Sequence, residues 1–181
     1  VAAGPDGEQQ QVHLQQGSLD GACGPYCLFM ALLACGFERR DDVTAFGCID
    51  GRKALGRLHR EMRAFSPLVS DGTHLEQLES LLKRGYGARA GFDAHSGRGT
   101  EIRVFLERHL SQGHPVVVGL EGPAGLGHWV LGVGLEYGSD GEDTPLCRLL
   151  VLDPSEPAPA VCAWNGVIDL RTGLLREHRR E

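Results

Sequence analysis

Three short stretches of this 181-residue chain hold residue types capable of covalent chemistry. The first is Gln15-Gln16-Gly17-Ser18-Leu19-Asp20-Gly21-Ala22-Cys23-Gly24-Pro25-Tyr26-Cys27, in which Cys23 stands immediately before an apolar helix. A helix N-terminus offers unpaired backbone N–H groups and about half a positive charge, which favour thiolate over thiol. Gly24 keeps the approach to the sulfur open, and Pro25 suits the first helical turn. The second stretch is Gly127-His128-Trp129-Val130-Leu131-Gly132-Val133-Gly134, a histidine at the mouth of an apolar strand behind a glycine-rich loop. The third, Leu149-Leu150-Val151-Leu152-Asp153-Pro154, ends an apolar strand in a carboxylate. Singly, each has a bland explanation: a helix-cap thiol, a structural histidine, a strand-end turn residue. Together they supply a nucleophile, a base and an orienting acid. On adjacent antiparallel strands Asp153 can bond one ring nitrogen of His128 and leave the other for Cys23, which is the logic of covalent acyl transfer.

This ordered set resembles the papain-like cysteine peptidases. Within them it is most similar to the branch that processes bacteriocin double-glycine leaders and to that branch's free-standing relatives. The matching pattern is a glutamine, Cys-Gly-Pro opening a helix, Gly-His on an apolar strand, then Leu-Asp-Pro, and it covers residues 12–170. The resemblance implies a Cys23–His128–Asp153 triad and an oxyanion hole made by a glutamine side chain with the Cys23 backbone N–H. The family's glutamine usually stands one residue closer to the nucleophile than Gln16 does, where this chain has Gly17. Gln16 is favoured over Gln15, with a one-residue bulge within residues 17–21 restoring the geometry.

The function implied is a cysteine-dependent peptidase that cleaves a peptide or amide bond through an acyl-enzyme on Cys23, after small residues such as Gly. The expected partner is a protein or peptide substrate, with no cofactor and no metal. Two alternatives share the residues: a glutamine deamidase, transglutaminase-like enzyme or acyltransferase effector on the same fold, and a non-catalytic peptide-binding module.

The neighbours of the three stretches have narrower expectations. Gly24 and Gly127 leave room for a peptide backbone, and either Trp129 or Trp164 is placed to shield the His128–Asp153 bond from water. Cys27, Ala31 and Cys35 read as a small-residue packing stripe, and Cys48, Cys147 and Cys162 as buried or incidental thiols. No Cys-x-x-Cys pair occurs, and the remaining histidines show no metal-ligand spacing. The glycine clusters in residues 91–99 and 121–127 lack a phosphate-binding lysine motif and read as cleft-edge loops.

The elements that must position these residues follow from periodicity. Residues 25–35 are apolar nearly all round and predict a buried central helix capped by Gly36. Helices are also expected over residues 50–64, over 73–84 with its stop at Gly85, and from a Thr100 cap to Leu110. Strands are expected over residues 115–120, 128–136, 148–153 and 161–170. Helices first and strands second predict an α+β domain: a helical lobe with the cysteine on its central helix, and an antiparallel sheet lobe carrying His128 and Asp153. Residues 1–11 read as a flexible arm, 12–170 as a single domain, and 171–181 as a charged tail that continues a short helix.

Composition narrows the class further. A net charge of -6 argues against nucleic acid as a ligand, since phosphate recognition needs a basic face. No apolar run reaches the ~20 residues of a membrane span. The start at Val1 lacks both a Met and a signal-peptide apolar core, so a removed leader stays open. A reducing, cytoplasmic setting is favoured, with export or delivery as an effector the alternative. Arg supplies 16 of the 18 basic residues, the usage of a GC-rich bacterial source.

Overall fold

The computed structural model describes residues 1–17, 21–45, 50–64, 72–121, 127–138, 146–172 and 174–177. Five helices and two antiparallel sheets are present among them, an α+β arrangement. The organising element is α1 (Cys23–Ala34), whose sequence CGPYCLFMALLA leaves it no polar face. Such a helix has to be covered all round. Leu28, Met30, Leu33 and Cys27 are buried in one core with residues of the arm, of helices α3 (Ala54–Ala64) and α4 (Leu75–Tyr86), and of the sheet. Its end is a Schellman turn: Gly36 is left-handed at φ 68°, with Gly36 N–H on Leu33 O and Phe37 N–H on Leu32 O. Cys35, the cap residue, is exposed, so the expected packing stripe stops at Cys27 and Ala31.

Several expected boundaries move, each for a local reason. Helix α1 begins at Cys23, two residues before Pro25. The short α2 (Arg40–Thr44) has no counterpart among the expected helices. Helix α3 starts at Ala54 because Asp50 forms a turn instead, its side chain accepting the Arg52 N–H and its carbonyl the Lys53 N–H. Gly85 does not stop α4; it lies inside the helix, where a Cβ would sit 3.2 Å from Leu58 Cβ, and Gly87 is the cap. The glycine therefore permits close α3–α4 approach. In α5 (Thr100–Leu110) the cap is Gly99 at φ 64°, with Thr100 the first helical residue.

The main sheet is an antiparallel meander in the order β3 (Val116–Glu121), β4 (Gly127–Tyr137), β5 (Leu146–Leu152), β6 (Gly166–Asp169), β7 (Leu174–Glu177). Strands β4 and β5 bury both faces. Leu131 and Leu152 join the α1 core, while Val130, Leu149, Val151 and Ile168 pack with Leu106 of α5. The pairing of β4 with β5 slips by one residue between Gly132 and Gly134, a bulge that increases strand twist. Strand β6 is shorter than residues 161–170, and Val161 is 91% exposed. The tail is corrected too: β7 continues the sheet instead of a helix.

Two short strands lie within the expected arm of residues 1–11. Ala2–Ala3 (β1) and Gln9–Gln10 (β2) pair as a hairpin. Gln10 Nε2 donates to Leu33 O at 3.2 Å, which also accepts the Gly36 N–H, and to Glu38 O at 2.9 Å beyond the helix, tying the hairpin to the C-terminal end of α1. Among the described residues no helix is long and apolar enough to cross a membrane.

Gly119 pairs with Trp129 across the β3–β4 ladder, and a Cβ there would meet the indole ring at 3.0 and 3.1 Å. The small residue on one strand leaves room for the large one on the other. Gly119→Ala is expected to lower unfolding stability by about 1–3 kcal/mol through overpacking. An unchanged urea midpoint would show that the indole has slack.

Candidate active site

The three chemical residues arrive from separated elements. Cys23 opens α1, His128 is the second residue of β4, and Asp153 directly follows β5. Because β4 and β5 are antiparallel, with Leu131 opposite Leu152, the start of one strand lies beside the end of the other. His128 Nε2 donates to Asp153 Oδ1 at 2.8 Å. The remaining ring nitrogen, Nδ1, is left for Cys23, which lies close enough for the thiol and the imidazole to shift each other's pKa. Cys23 is 6% exposed and Asp153 3%, so substrate atoms would meet the thiol in a largely dry site.

The electrostatics follow from this geometry. Hydrogen bonds to Asp153 and then to Cys23 raise the His128 pKa to about 9, against the opposing effect of burial. Burial alone would push the Cys23 thiol up; hydrogen bonds from His128 and the Trp129 backbone outweigh it and bring the thiol below its ordinary value. Ala22, the N-cap of α1, makes no side-chain capping bond, so the first-turn N–H groups stay available to a negative charge. Burial would raise the Asp153 carboxyl, but hydrogen bonds from His128 and Ser155 hold it below the usual carboxylate range. Ser155 gives two of these, N–H to Oδ1 at 2.8 Å and Oγ–H to Oδ1 at 2.6 Å. All three shifts favour a thiolate, an imidazolium and a carboxylate in a row.

The other anticipated residues take varied places. Gln16 is half-buried, and its side-chain oxygen is buried with no hydrogen-bond partner among the described residues; Gln15 is exposed. The Gln16 backbone N–H donates to Pro154 O at 2.8 Å, which holds this residue beside the Asp153 turn. The bulge expected within residues 17–21 falls on residues 18–20, outside the described residues, as do Cys48 and most of the loop at 121–127. The space expected at Gly24 is taken by protein atoms. A Cβ there would sit 3.0 Å from Leu78 Cδ2, 3.2 Å from Thr73 Cβ and 3.2 Å from Trp129 Cδ1. It lets the start of α1 press against α4 and β4.

Trp129 donates its indole N–H to Thr73 O at 2.7 Å, tying the histidine strand to the entry of α4. Trp164 is half-buried, and its carbonyl accepts the Cys162 thiol at 2.8 Å. Gly127 is exposed, and among the described residues a Cβ placed on it would meet nothing closer than Leu120 O at 4.0 Å. Burial pushes the Cys27 thiol well up, which suits a packing residue. A cavity of about 1070 Å³ lies alongside α1, lined in part by Leu28, Leu78, Phe105 and Trp129 but by none of the three chemical residues.

Sequence reasoning missed three residues of this site. Asn165 and His13 are both buried against the Asp153 backbone, and Ser155 serves its carboxylate. Only Ser155 had a signal, since a serine two residues after a turn aspartate completes a local side-chain-to-backbone turn. Comparisons with protein-family models, curated proteins and solved structures give no match to this chain.

Linkage gives a stability window for the pair. His128 is raised in the folded state to about 9, so its contribution is complete below the unfolded value of about 6.5 and is lost as pH rises through about 9. Asp153 is lowered, so its contribution is present above about 4 and is lost as pH falls through its folded value. In urea titrations, the stability difference between wild type and His128→Gln should therefore be largest between about pH 4 and 6.5 and shrink on both sides. A difference independent of pH would remove the ion pair.

Proposed function

We propose that this chain is a papain-like cysteine peptidase, a thiol hydrolase that cleaves a peptide or amide bond through an acyl-enzyme on Cys23. The observation that carries the reading is the convergence of Cys23, His128 and Asp153 from the start of a buried helix, the start of one strand and the end of the next, with the His128 Nε2–Asp153 Oδ1 bond at 2.8 Å. A lowered thiol pKa beside a raised imidazole pKa supports the same assignment of roles.

The steps balance with these residues alone. The Cys23 thiolate attacks the carbonyl carbon, forming the C–S bond while the carbonyl electrons move to oxygen. That oxyanion is met by the Cys23 backbone N–H and the Gln16 side-chain amide. Collapse breaks the C–N bond as His128 Nδ1 passes its proton to the leaving nitrogen. His128 then takes a proton from water, the hydroxide attacks the acyl carbon, and the C–S bond breaks to restore the thiolate–imidazolium pair. Asp153 remains ionised, fixes the tautomer with Nε2–H and stabilises the charged ring. The exposed Gly127 next to His128 suits a substrate with small residues before the cut.

Iodoacetamide at pH about 6, where ordinary thiols react slowly, should label buried Cys23 ahead of exposed Cys35. His128→Ala should abolish that preference. Labelling of Cys35 first, by peptide mass mapping, would sink the assignment. With peptides bearing Gly or Ala before the scissile bond, cleaved chains mark a peptidase; a gain of about one dalton at glutamine without cleavage marks a deamidase. Gln16→Ala should slow the reaction about 100-fold or more if its amide serves the oxyanion.

A further inference from the structure

Asp153 poses a structural problem that the catalytic roles do not solve. It is buried at 3% exposure, and it lies one residue beyond the last residue of β5. Its own N–H and C=O have therefore left the strand ladder, and buried backbone groups without partners are costly. The β5–β6 pairing ends at Val151 opposite Gly166, and the Asn165 N–H reaches back to Val151 O at 3.1 Å.

The side chain of Asn165 then takes over where the backbone stops. Its Oδ1 accepts the Asp153 N–H at 2.6 Å, and its Nδ2 donates to Asp153 O at 2.8 Å and to Pro157 O at 3.1 Å. A carboxamide has the donor and acceptor of a peptide group, so it acts here as one extra rung of the sheet. His13, buried at 3% exposure, approaches the same carbonyl with Nε2 at 2.9 Å. A carbonyl at that distance requires Nε2 to carry the proton. The 3.2 Å contact between His13 Nε2 and Asn165 Nδ2 is then an approach of two donors to one acceptor. Both Nδ2 hydrogens are already placed on Asp153 O and Pro157 O, which agrees with that tautomer. Three residues after His13, the Gln16 N–H holds Pro154 O at 2.8 Å.

We infer that Asn165 and His13 are positioning residues of the site: their amide and imidazole clamp the Asp153 backbone so that its carboxylate meets His128, and they tie the Gln16 segment to the same turn. Neither touches the reacting atoms. The inference rests on the thiol-hydrolase reading for its consequence in catalysis, while the clamp itself is a matter of geometry. A purely structural role would lower stability and leave the His128–Asp153 bond alone in any variant that folds. A positioning role moves the bond.

The test is an NMR titration of the His128 ring in wild type, Asn165→Ala, His13→Ala and His13→Gln, with near-UV circular dichroism to select folded variants. Gln places an amide donor near the position of His Nε2. The clamp predicts that the His128 midpoint falls by about one pH unit or more in both Ala variants, a tenfold loss of preference for the protonated ring, and recovers in His13→Gln. A His128 titration unchanged in a folded Ala variant overturns it. Should Asn165→Ala fail to fold, the His13 pair decides. Amide exchange on the wild type provides a further check: the Asp153 N–H must be as protected as the centre of β5, and fast exchange there overturns the clamp without any variant. Iodoacetamide labelling of Cys23 on the same samples keeps the two readings apart. Wild type without preferential labelling would end the hydrolase reading, while the His128 titration still judges the clamp.

Discussion

A carboxylate held at 3% exposure has to be answered from every side, and much of the sheet lobe is arranged around the answer. Three donors converge on one oxygen of Asp153, two from Ser155 and one from His128. Its backbone is held by a side-chain amide and a buried imidazole. The bond it makes with His128 couples this cluster to α1, because the same imidazole meets Cys23. Removing the aspartate would therefore do more than lower the basicity of the ring. It would leave the two Ser155 donors and the His128 ring N–H without this acceptor.

The opposite wall of the site is built from contacts of shape. Trp129 follows His128 in the strand, and its indole is enclosed by Gly24 of α1, Gly119 of β3 and the carbonyl of Thr73. Two glycines on different elements leave space for one large ring. Burying such a ring contributes a large apolar area, and its N–H needs the single acceptor it finds. The imidazole on one residue is thus positioned by hydrogen bonds and its neighbour on the next by packing. Together they leave β4 little freedom to slide against α1.

The elements with strong periodicity were legible in the sequence. An apolar helix with no polar side, the Leu stripe of α4, and the valine-rich strands are patterns that only one local structure can bury. Cys23, His128 and Asp153 could be proposed because each sits at the end of such an element, where antiparallel pairing brings ends together. Features whose reason is tertiary were not legible. Gly85 looks like a helix stop, and only contact with Leu58 explains it inside α4. The polar N-terminal residues carry no core pattern, yet Gln10 docks on Leu33 O in the last turn of α1 and on Glu38 O just beyond it. Asn165 and His13 lie 12 and 140 residues from Asp153 along the chain, and no spacing rule connects them to it.

The docking of Gln10 has a consequence for distance. From Gln10 at the far end of α1, the chain runs back through buried Val12, His13 and Leu14 to Gln16 beside the Asp153 turn. Six extended steps span about 20 Å. The 12 residues of α1 span about 18 Å. The segment is held at both ends, by the Gln10 side chain and by the Gln16 N–H. One residue added or removed within it would have to displace Gln10 or Gln16 from its hydrogen bond, or distort the buried stretch between them. Gln16 is thus placed from the N-terminal side, through contacts with the helix end and with the Asp153 turn.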